Sequence, residues 1–261
     1  MSHHSPSDAH SLLALALGAA EVGGQVIVGH LNRAKTLGWK SSASDPVTDV
    51  DRRSEAQILS LLNAERPDDG ILSEESSEQP SASGLRWVVD ALDGSVNHIY
   101  GIPQCAVSIA VEERRGHEWT AIVGVVHDPI RSETFSAIRG GGAVLGDSPL
   151  RVNEPISLSQ ALIATEFGYT VESRRRQAEA VTRVLSAARD IRCTGSSALD
   201  LCWTAAGRFD AFYEDELERW DWAAGQLIVQ EAGGVTLPIG SGILGAGPAL
   251  YRELTALLHV S

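Results

Sequence analysis

An apolar run that ends in two aspartates is the feature that most constrains this chain. Trp87–Val89 leads directly into Asp90, and Asp93, Gly94 and Ser95 follow closely. Such a run is typical of a buried strand. Two carboxylates at the end of a strand that enters the core are costly unless something neutralises them. The sequence therefore predicts that a positively charged group lies beside Asp90 and Asp93 at this end of the strand.

The chemistry of these side chains indicates which group that is. Oxygen donors without sulfur or imidazole suit hard cations, above all Mg²⁺, with Mn²⁺ as the alternative. Gly94 lets a ligand approach the backbone, and the segment from Ser95 can begin a helix whose N-terminal amides face an anion. An aspartate pair on a loop is weak evidence by itself, because solvated acids are common.

Further acids occur at strand ends and helix starts. Glu74 and Glu75 follow the apolar run 70–73, Asp51 begins a helical pattern, and Asp221 follows Arg219-Trp220. Each has a simpler explanation when taken alone: Asp221 as an N-cap, Glu74 as a loop charge and Asp51 as a first-turn helix acid. If four such acids converge, they form a site for more than one metal ion.

Charge and cysteine content exclude several function classes. The 261 residues include 21 basic and 34 acidic side chains, a net charge of −13, which repels a phosphate backbone, so we expect no nucleic-acid partner. The composition is that of a folded globular protein. Cys105, Cys193 and Cys202 are widely spaced without a CxxC pattern. This argues against disulfides and zinc and favours the reducing cytoplasm.

The apolar stretch 12–28 is the one segment that invites a membrane interpretation. Glu21 and Gln25 interrupt it, and it is shorter than a bilayer span. We therefore expect a core-facing helix and no membrane partner.

Hydrophobic periodicity predicts alternating helices and strands. Helices are predicted over 8–34, 51–62, 173–188, 196–206 and 221–232. Strands are predicted over 70–73, 85–89, 106–111, 120–126, 133–137, 162–165, 191–193, 209–213 and 235–237. The strands between 104 and 137 indicate an antiparallel meander. We expect one α/β domain, 1–261, whose halves 1–150 and 151–261 form two mixed sheets layered with helices.

Sequence motifs of other catalytic and cofactor sites are either absent or lack the surrounding elements that such sites need. Residues 240–245 match GxGxxG but lack the βαβ unit of a dinucleotide site, so we expect a turn there. The chain contains no GxSxG or HExxH motif, which leaves serine hydrolase and zinc hydrolase chemistry without candidates.

Several acid-bearing segments together resemble the signature of the inositol monophosphatase family, the Mg²⁺-dependent, lithium-sensitive phosphatases. They are Asp45-Pro46-Val47-Thr48-Asp49-Val50-Asp51, Ser73-Glu74-Glu75-Ser76, Trp87 to Asn97, Trp220 to Gly225, and Glu231 to Gly234. The resemblance covers nearly the whole chain, in the family's order. It implies a layered αβαβα sandwich and a homodimer.

The resemblance also implies roles for individual residues. The expected metal ligands, for two or three Mg²⁺ ions with Mn²⁺ possible, are Glu74, Asp90, the carbonyl of Leu92, Asp93 and Asp221. The expected catalytic residues are Asp51, Glu74 and Ser95, where Asp51 and Ser95 orient the attacking water. The expected substrate contacts are Asp93, Gly94, Ser95, Gly195, Ser196, Ser197, Glu214 and Asp221.

A few positions depart from the family pattern. Ser95 replaces threonine and keeps the hydroxyl. Ala91 replaces proline and Ser73 replaces glycine, and we expect these two changes to loosen their loops. His98 stands where phenylalanine is common. We expect it to be a partly exposed structural residue, and the alternative is a contact on the phosphate side.

The resemblance implies hydrolysis of a phosphate monoester by metal-activated water. Glu214 resembles an acid that hydrogen-bonds a substrate hydroxyl, so myo-inositol 1-phosphate is the favoured substrate. Histidinol phosphate, fructose 1,6-bisphosphate and 3′-phosphoadenosine 5′-phosphate are alternatives on the same site. A different class of function is a non-catalytic regulatory protein, because some relatives have roles in RNA processing.

Overall fold

The computed structural model describes residues 6–31, 37–39 and 46–258. The helices are α1 Pro6–Gly29, α2 Asp49–Glu65, α3 Ser95–Tyr100, α4 Val171–Ala187, α5 Ser197–Ala205, α6 Arg219–Glu231 and α7 Pro248–Leu258, with a short 3₁₀ helix at Leu158–Gln160. Asp45 and the predicted extension of the first helix over 32–34 lie outside the described residues.

Within the described residues, fourteen strands form the sheets. They are β1 Leu37–Trp39, β2 Pro46–Thr48, β3 Gly70–Ser73, β4 Leu85–Asp93, β5 Ala106–Arg115, β6 Glu118–Asp128, β7 Glu133–Ile138, β8 Gly142–Leu145, β9 Ser148–Pro149, β10 Leu162–Thr165, β11 Asp190–Arg192, β12 Ala211–Glu214, β13 Val235–Ile239 and β14 Gly242–Ala246. Strands β1 and β2 pair with each other in a separate two-stranded sheet.

The larger sheet has seven strands in the order β3-β4-β5-β6-β7-β8-β9. Strands β4 to β9 are antiparallel neighbours, which confirms the predicted meander and extends it through β8 and β9. Strand β3 joins the edge in parallel with β4, and Ser73 pairs with Val89. This register brings the residues that follow β3 beside Asp90.

The smaller sheet has five strands in the order β11-β10-β12-β14-β13. Strand β10 runs parallel to both β11 and β12, so their carboxyl ends lie at one edge. Strand β14 pairs antiparallel with β12 and β13. The predicted mixed sheet of the second half is confirmed.

Alternation along the central strands divides the core into layers. Trp87 and Val89 face one side of β4 with the buried residues of α1 and α2. Val88 faces the other side, with α5 and α6, as a period of two requires. The outer face of the smaller sheet packs on α4 and α7. The order helices, sheet, helices, sheet, helices is the predicted αβαβα sandwich.

Helix α1 tests the membrane expectation. Its segment Asp8–Gly29 is long and apolar enough to cross a membrane by length and composition, a description that also fits a core helix. The argument that the stretch is too short is therefore wrong. Leu12, Ala16 and Ile27 are buried and belong to the core cluster that α1 shares with α2 and the larger sheet.

Candidate active site

A bulge at the end of β4 redirects the two aspartates. Asp90 pairs with Ser108 on β5, but Asp93 pairs with Ala106, so the register shifts between them. Bulges of this kind re-aim side chains. Gly94 follows with φ at 95°, and a Cβ there would stand 2.8 Å from the Gln104 carbonyl oxygen. Only glycine fits this turn from β4 into α3.

Asp90 is buried beside other carboxylates. Its Oδ1 accepts a hydrogen bond of 2.9 Å from the Leu92 backbone N–H. Burial raises the pKa of Asp90 well above its usual value, and the charges of Glu74, Asp93 and Asp221 raise it further. Glu74 is here because it follows Ser73, which pairs with Val89 next to Asp90 in the parallel strand β4.

Asp221 arrives from the other half of the chain, in the first turn of α6. Its Oδ2 accepts from the Glu218 backbone N–H at 2.8 Å, which caps the helix. Burial raises the pKa of Asp221 well above normal, followed by the charges of Glu74 and Asp93. We call Glu74, Asp90, Asp93 and Asp221 the acid cluster.

The acid cluster has the donor chemistry of a hard-cation site. Its donors are all carboxylate oxygens, which suit Mg²⁺ or Mn²⁺. In the part of the chain that the structure describes, no group of three or more His, Cys, Asp or Glu side chains is arranged so that it could hold a metal ion without rearrangement. Carboxylates of like charge repel one another and raise each other's pKa until a cation compensates them.

A hydrogen-bonded chain leads from α2 to Ser95. The Ser95 hydroxyl donates to Asp51 Oδ1 and lies 3.1 Å from the Leu92 carbonyl oxygen. The other oxygen of Asp51 accepts from the Thr48 backbone N–H at 2.8 Å and from the Thr48 hydroxyl. Thr48 is the N-cap of α2, so the capping box that starts the helix also fixes the Asp51 carboxylate.

One turn further along α2, Glu55 holds the loop that carries Glu74. Its carboxylate accepts from the Glu75 backbone N–H at 2.9 Å and from the Ser76 hydroxyl. Glu55 is itself buried. Helix α2 therefore positions both the Ser95 partner and the loop after β3.

The two halves of the chain meet at Asp93. Its Oδ2 accepts from the Ser196 hydroxyl at 2.6 Å and from the Ala198 backbone N–H at 2.8 Å. Burial raises the pKa of Asp93 to about 6 against the lowering effect of these bonds. Asn97 adds a second link, because its Nδ2 donates to the Thr194 carbonyl at 2.7 Å.

The loop before α5 is held by acids of the smaller sheet. Glu214 Oε2 accepts from the Ser197 hydroxyl at 3.0 Å. Glu166 Oε1 accepts from the backbone N–H groups of Thr194 and Gly195, and its Oε2 lies 2.8 Å from the Cys193 Sγ. We call Glu166, residues 193–197, Asp200 and Glu214 the loop cluster.

Charge also couples the members of the loop cluster. Burial raises the pKa of Glu214 well above normal, and the charge of Glu166 raises it further. The same two causes, in the same order, raise the pKa of buried Asp200. Asp200 Oδ1 accepts from the Thr194 hydroxyl at 2.6 Å.

The structure thus brings the predicted residues into two adjoining groups, and it adds residues that the sequence analysis missed. Glu166 follows strand β10 as Glu74 follows β3, so the same strand-end pattern could have found it. Asp200 lies inside α5 and carries no such signal. His98 is fully buried, so the expectation of a partly exposed histidine is wrong.

Comparison with known proteins points in one direction. The model of the Inositol monophosphatase family matches residues 8–256. Inositol-1-monophosphatase SuhB of Mycobacterium tuberculosis is 41% identical over 236 residues, covering 84% of this chain and 80% of that protein. Nus factor SuhB of Haemophilus influenzae is 38% identical over 234 residues, covering 88% and 86%.

A solved structure agrees with the sequence matches. The extragenic suppressor protein SuhB of Bartonella henselae superposes with a TM-score of 0.89 at 34% identity, covering 96% of this chain and 99% of that one. The layered sandwich described above is thus shared with that protein.

Proposed function

This chain belongs to the inositol monophosphatase family, and from that premise we propose that it hydrolyses phosphate monoesters at the acid cluster. The observation that carries the proposal is the position of the Ser95–Asp51 hydrogen bond, next to carboxylates that raise each other's pKa. A hydroxyl paired with a fixed carboxylate can orient a water and take up its proton.

We propose that the cluster and the Leu92 carbonyl hold two or three Mg²⁺ ions, with Mn²⁺ as a substitute. The ligands would be Glu74, Asp90, Leu92, Asp93 and Asp221. When bound, the ions supply positive charge for the phosphoryl oxygens and lower the pKa of water.

The protein's own groups then orient the reactants. The Ser95 hydroxyl and the Asp51 carboxylate hold the water and accept its proton, and Thr48 keeps Asp51 fixed. The backbone N–H groups of Gly94 and Ser95 lie in the first turn of α3, where helical partners are lacking, and they bind phosphoryl oxygens. The water oxygen bonds to phosphorus and the ester P–O bond breaks. The leaving alkoxide takes up a proton from solvent, and the proton held at Asp51 returns to solvent, so the protons balance.

The loop cluster is proposed to bind the leaving alcohol. Glu214 accepts a hydrogen bond from a substrate hydroxyl, and Gly195, Ser196 and Ser197 line the same side. The charge of Glu166 raises the pKa of both Glu214 and Asp200, so this side of the site is acidic and would repel a second phosphate. This supports a monophosphate of a polyol, first myo-inositol 1-phosphate, over the bisphosphates.

Phosphate release tests this proposal. Purified protein is assayed with myo-inositol 1-phosphate, histidinol phosphate, fructose 1,6-bisphosphate and 3′-phosphoadenosine 5′-phosphate, each with and without Mg²⁺. We expect Mg²⁺-dependent release that is fastest from the inositol ester. A tenfold preference for histidinol phosphate would keep the metal chemistry and overturn the polyol assignment. Release from none of the four would contradict the enzymatic function.

A regulatory role is the second candidate. It is supported by the relatives named Nus factor SuhB, which match as well as those named inositol-1-monophosphatase. The two functions separate in cells that lack the protein and receive an Asp90→Asn variant. Loss of function with a folded variant supports the enzyme, and normal function supports the regulatory role.

The cellular setting is part of the proposal. Family resemblance supports a cytoplasmic homodimer, and the net charge of −13 argues against a nucleic-acid partner. Sedimentation equilibrium of the purified chain distinguishes a dimer from a monomer.

A further inference from the structure

A buried carboxylate outside the candidate site joins the two elements that carry its acids. Glu112 lies on β5 and is fully buried. Its Oε2 accepts from Arg86 Nε at 2.7 Å, and its Oε1 accepts from Arg219 Nε at 2.7 Å. A second guanidinium nitrogen of each arginine also contacts Glu112. We call Arg86, Glu112 and Arg219 the arginine brace.

Each arginine sits close along the chain to a member of the acid cluster. Arg86 and Asp90 are both on β4, an even number of residues apart, and so face the same side of the sheet. Arg219 is in the first turn of α6, two residues before Asp221. The brace therefore connects the strand that carries Asp90 and Asp93 to the helix that carries Asp221.

Aromatic contacts fix the orientation of both guanidinium groups. Arg219 lies over the ring of Trp222, 4.0 Å from its centroid, and Arg86 lies over Trp119 at 4.5 Å. A planar guanidinium that stacks on a ring and binds a carboxylate through two nitrogens has little freedom left. The spacing between β4 and the start of α6 is accordingly fixed at this point.

The acid cluster needs such a connection. Three of its carboxylates come from β4 and from the start of α6, and like charges held at one site push apart the elements that carry them. Attraction of both arginines to Glu112 opposes this push. The brace is thus located where repulsion between the two elements acts.

We propose that the arginine brace is a positioning device that holds Asp221 at the distance from Asp90 and Asp93 at which the cluster binds Mg²⁺ most tightly. The identity of the ion rests on the proposed function. The brace touches no substrate, so its effect falls on metal affinity.

The test compares two arginine variants of the full-length protein. Arg219→Met keeps an apolar chain beside Trp222 and leaves the Glu112–Arg86 pair intact. Arg208→Met is the matched control, because Arg208 also contacts a glutamate through two nitrogens, Glu133, and lies 5.5 Å from the Trp203 centroid. Mg²⁺ is titrated into metal-free protein by calorimetry, which does not depend on activity.

We expect Arg219→Met to bind Mg²⁺ about tenfold more weakly, the low end of the effect of residues that orient metal ligands. We expect Arg208→Met to bind Mg²⁺ within about twofold of the wild type, as surface substitutions do. If Arg219→Met does not fold, Arg219→Lys replaces it, since lysine keeps the charge and loses the two-nitrogen contact.

Unchanged Mg²⁺ affinity in the folded Arg219 variant, with only a lower melting temperature, would overturn the proposal and leave the brace a structural feature. Equal weakening in both variants would overturn it as well, because the effect would then be a general loss of stability. If the wild type itself binds no Mg²⁺, the proposed function fails and the brace proposal fails with it.

Discussion

The acid cluster and the loop cluster both contain buried carboxylates, but their surroundings differ. In the loop cluster, Glu166 accepts from two backbone N–H groups and contacts a thiol, and Glu214 accepts from a serine. In the acid cluster, the strongest charged neighbours of Asp90 and Asp221 are other carboxylates. The difference is one of degree, because both clusters contain donors and neighbouring carboxylates. Asp90 lies near three other carboxylates and accepts from the Leu92 backbone N–H, whereas Glu166 accepts from two backbone N–H groups and contacts a thiol. A compensating cation is therefore needed more at Asp90 than at Glu166.

The largest expected effect comes from Asp93→Asn, which belongs to the acid cluster and also touches the loop cluster. Asparagine keeps an oxygen acceptor for Ser196 and Ala198, so the fold should survive. Loss of a metal ligand removes several kcal/mol of transition-state stabilisation, and we expect kcat to fall about a thousandfold or more. The measurement is phosphate release beside a melting curve. Full turnover at saturating Mg²⁺ would exclude Asp93 from the site.

Ser95→Ala tests the catalytic role of the hydroxyl beside the acid cluster. The hydroxyl that lies against Asp51 is lost while the carboxylates remain, so we expect kcat to fall about 10²–10⁴-fold with Mg²⁺ affinity retained. Ser95→Thr is the matched control, because it keeps the hydroxyl, and it should retain most of the activity. Equal kcat in the alanine and threonine variants would show that the hydroxyl has no catalytic role.

Glu214→Gln tests the loop cluster. We expect KM for myo-inositol 1-phosphate to rise by up to about tenfold, since a hydrogen bond contributes about 0.5–1.5 kcal/mol. Mg²⁺ affinity should not change. Glu216→Gln is the control, because Glu216 is a surface residue paired with Arg176. A change in Mg²⁺ affinity without a change in KM would assign Glu214 to the acid cluster instead.

The smallest expected effect is on the pH dependence of stability in metal-free protein. Burial raises the pKa of Asp93 from 3.8 to about 6. Since the folded pKa is above the unfolded one, the stability from holding this proton is complete below pH 3.8 and is lost as the pH rises through 6.

Melting temperatures of metal-free protein between pH 4 and 7.5 check this, with Asp93→Asn as the variant in which that loss should shrink. An identical pH profile in the variant and the wild type would contradict the raised pKa. Mg²⁺ should stabilise the wild type most above pH 6, where Asp93 no longer holds a proton.

Much of the fold could be predicted from sequence because periodicity reports burial directly. The run Trp87–Val89 predicts a buried strand, and it lies at the centre of β4. The short strands β8 and β9 are not predicted, because segments of four and two residues between turns are too short to show a period of two. Helix α1 begins at Pro6 instead of at residue 8, because its polar first turn shows no apolar periodicity.

The candidate site was predictable to a different degree in its two regions. Glu74 follows β3, and Asp90 and Asp93 lie at the carboxyl end of β4, so the strand pattern indicates where they are. Other residues of the site contact partners that are distant in the chain, as Glu55 contacts Ser76 and Glu112 contacts Arg219. No local sequence pattern identifies such a partner, and the same holds for Asp200. The burial of His98 could not be predicted, because it depends on how α3 packs, which sequence spacing does not reveal.

The central claim is that the acid cluster is a cation site, and calorimetric titration of Mg²⁺ into metal-free protein tests it most directly. At pH 7.5 we expect the wild type to bind Mg²⁺, and Asp90→Asn to bind it at least about a hundredfold more weakly, because the carboxylate at the centre of the cluster is gone. Equal affinity in the two proteins, or no binding to the wild type, would contradict the account.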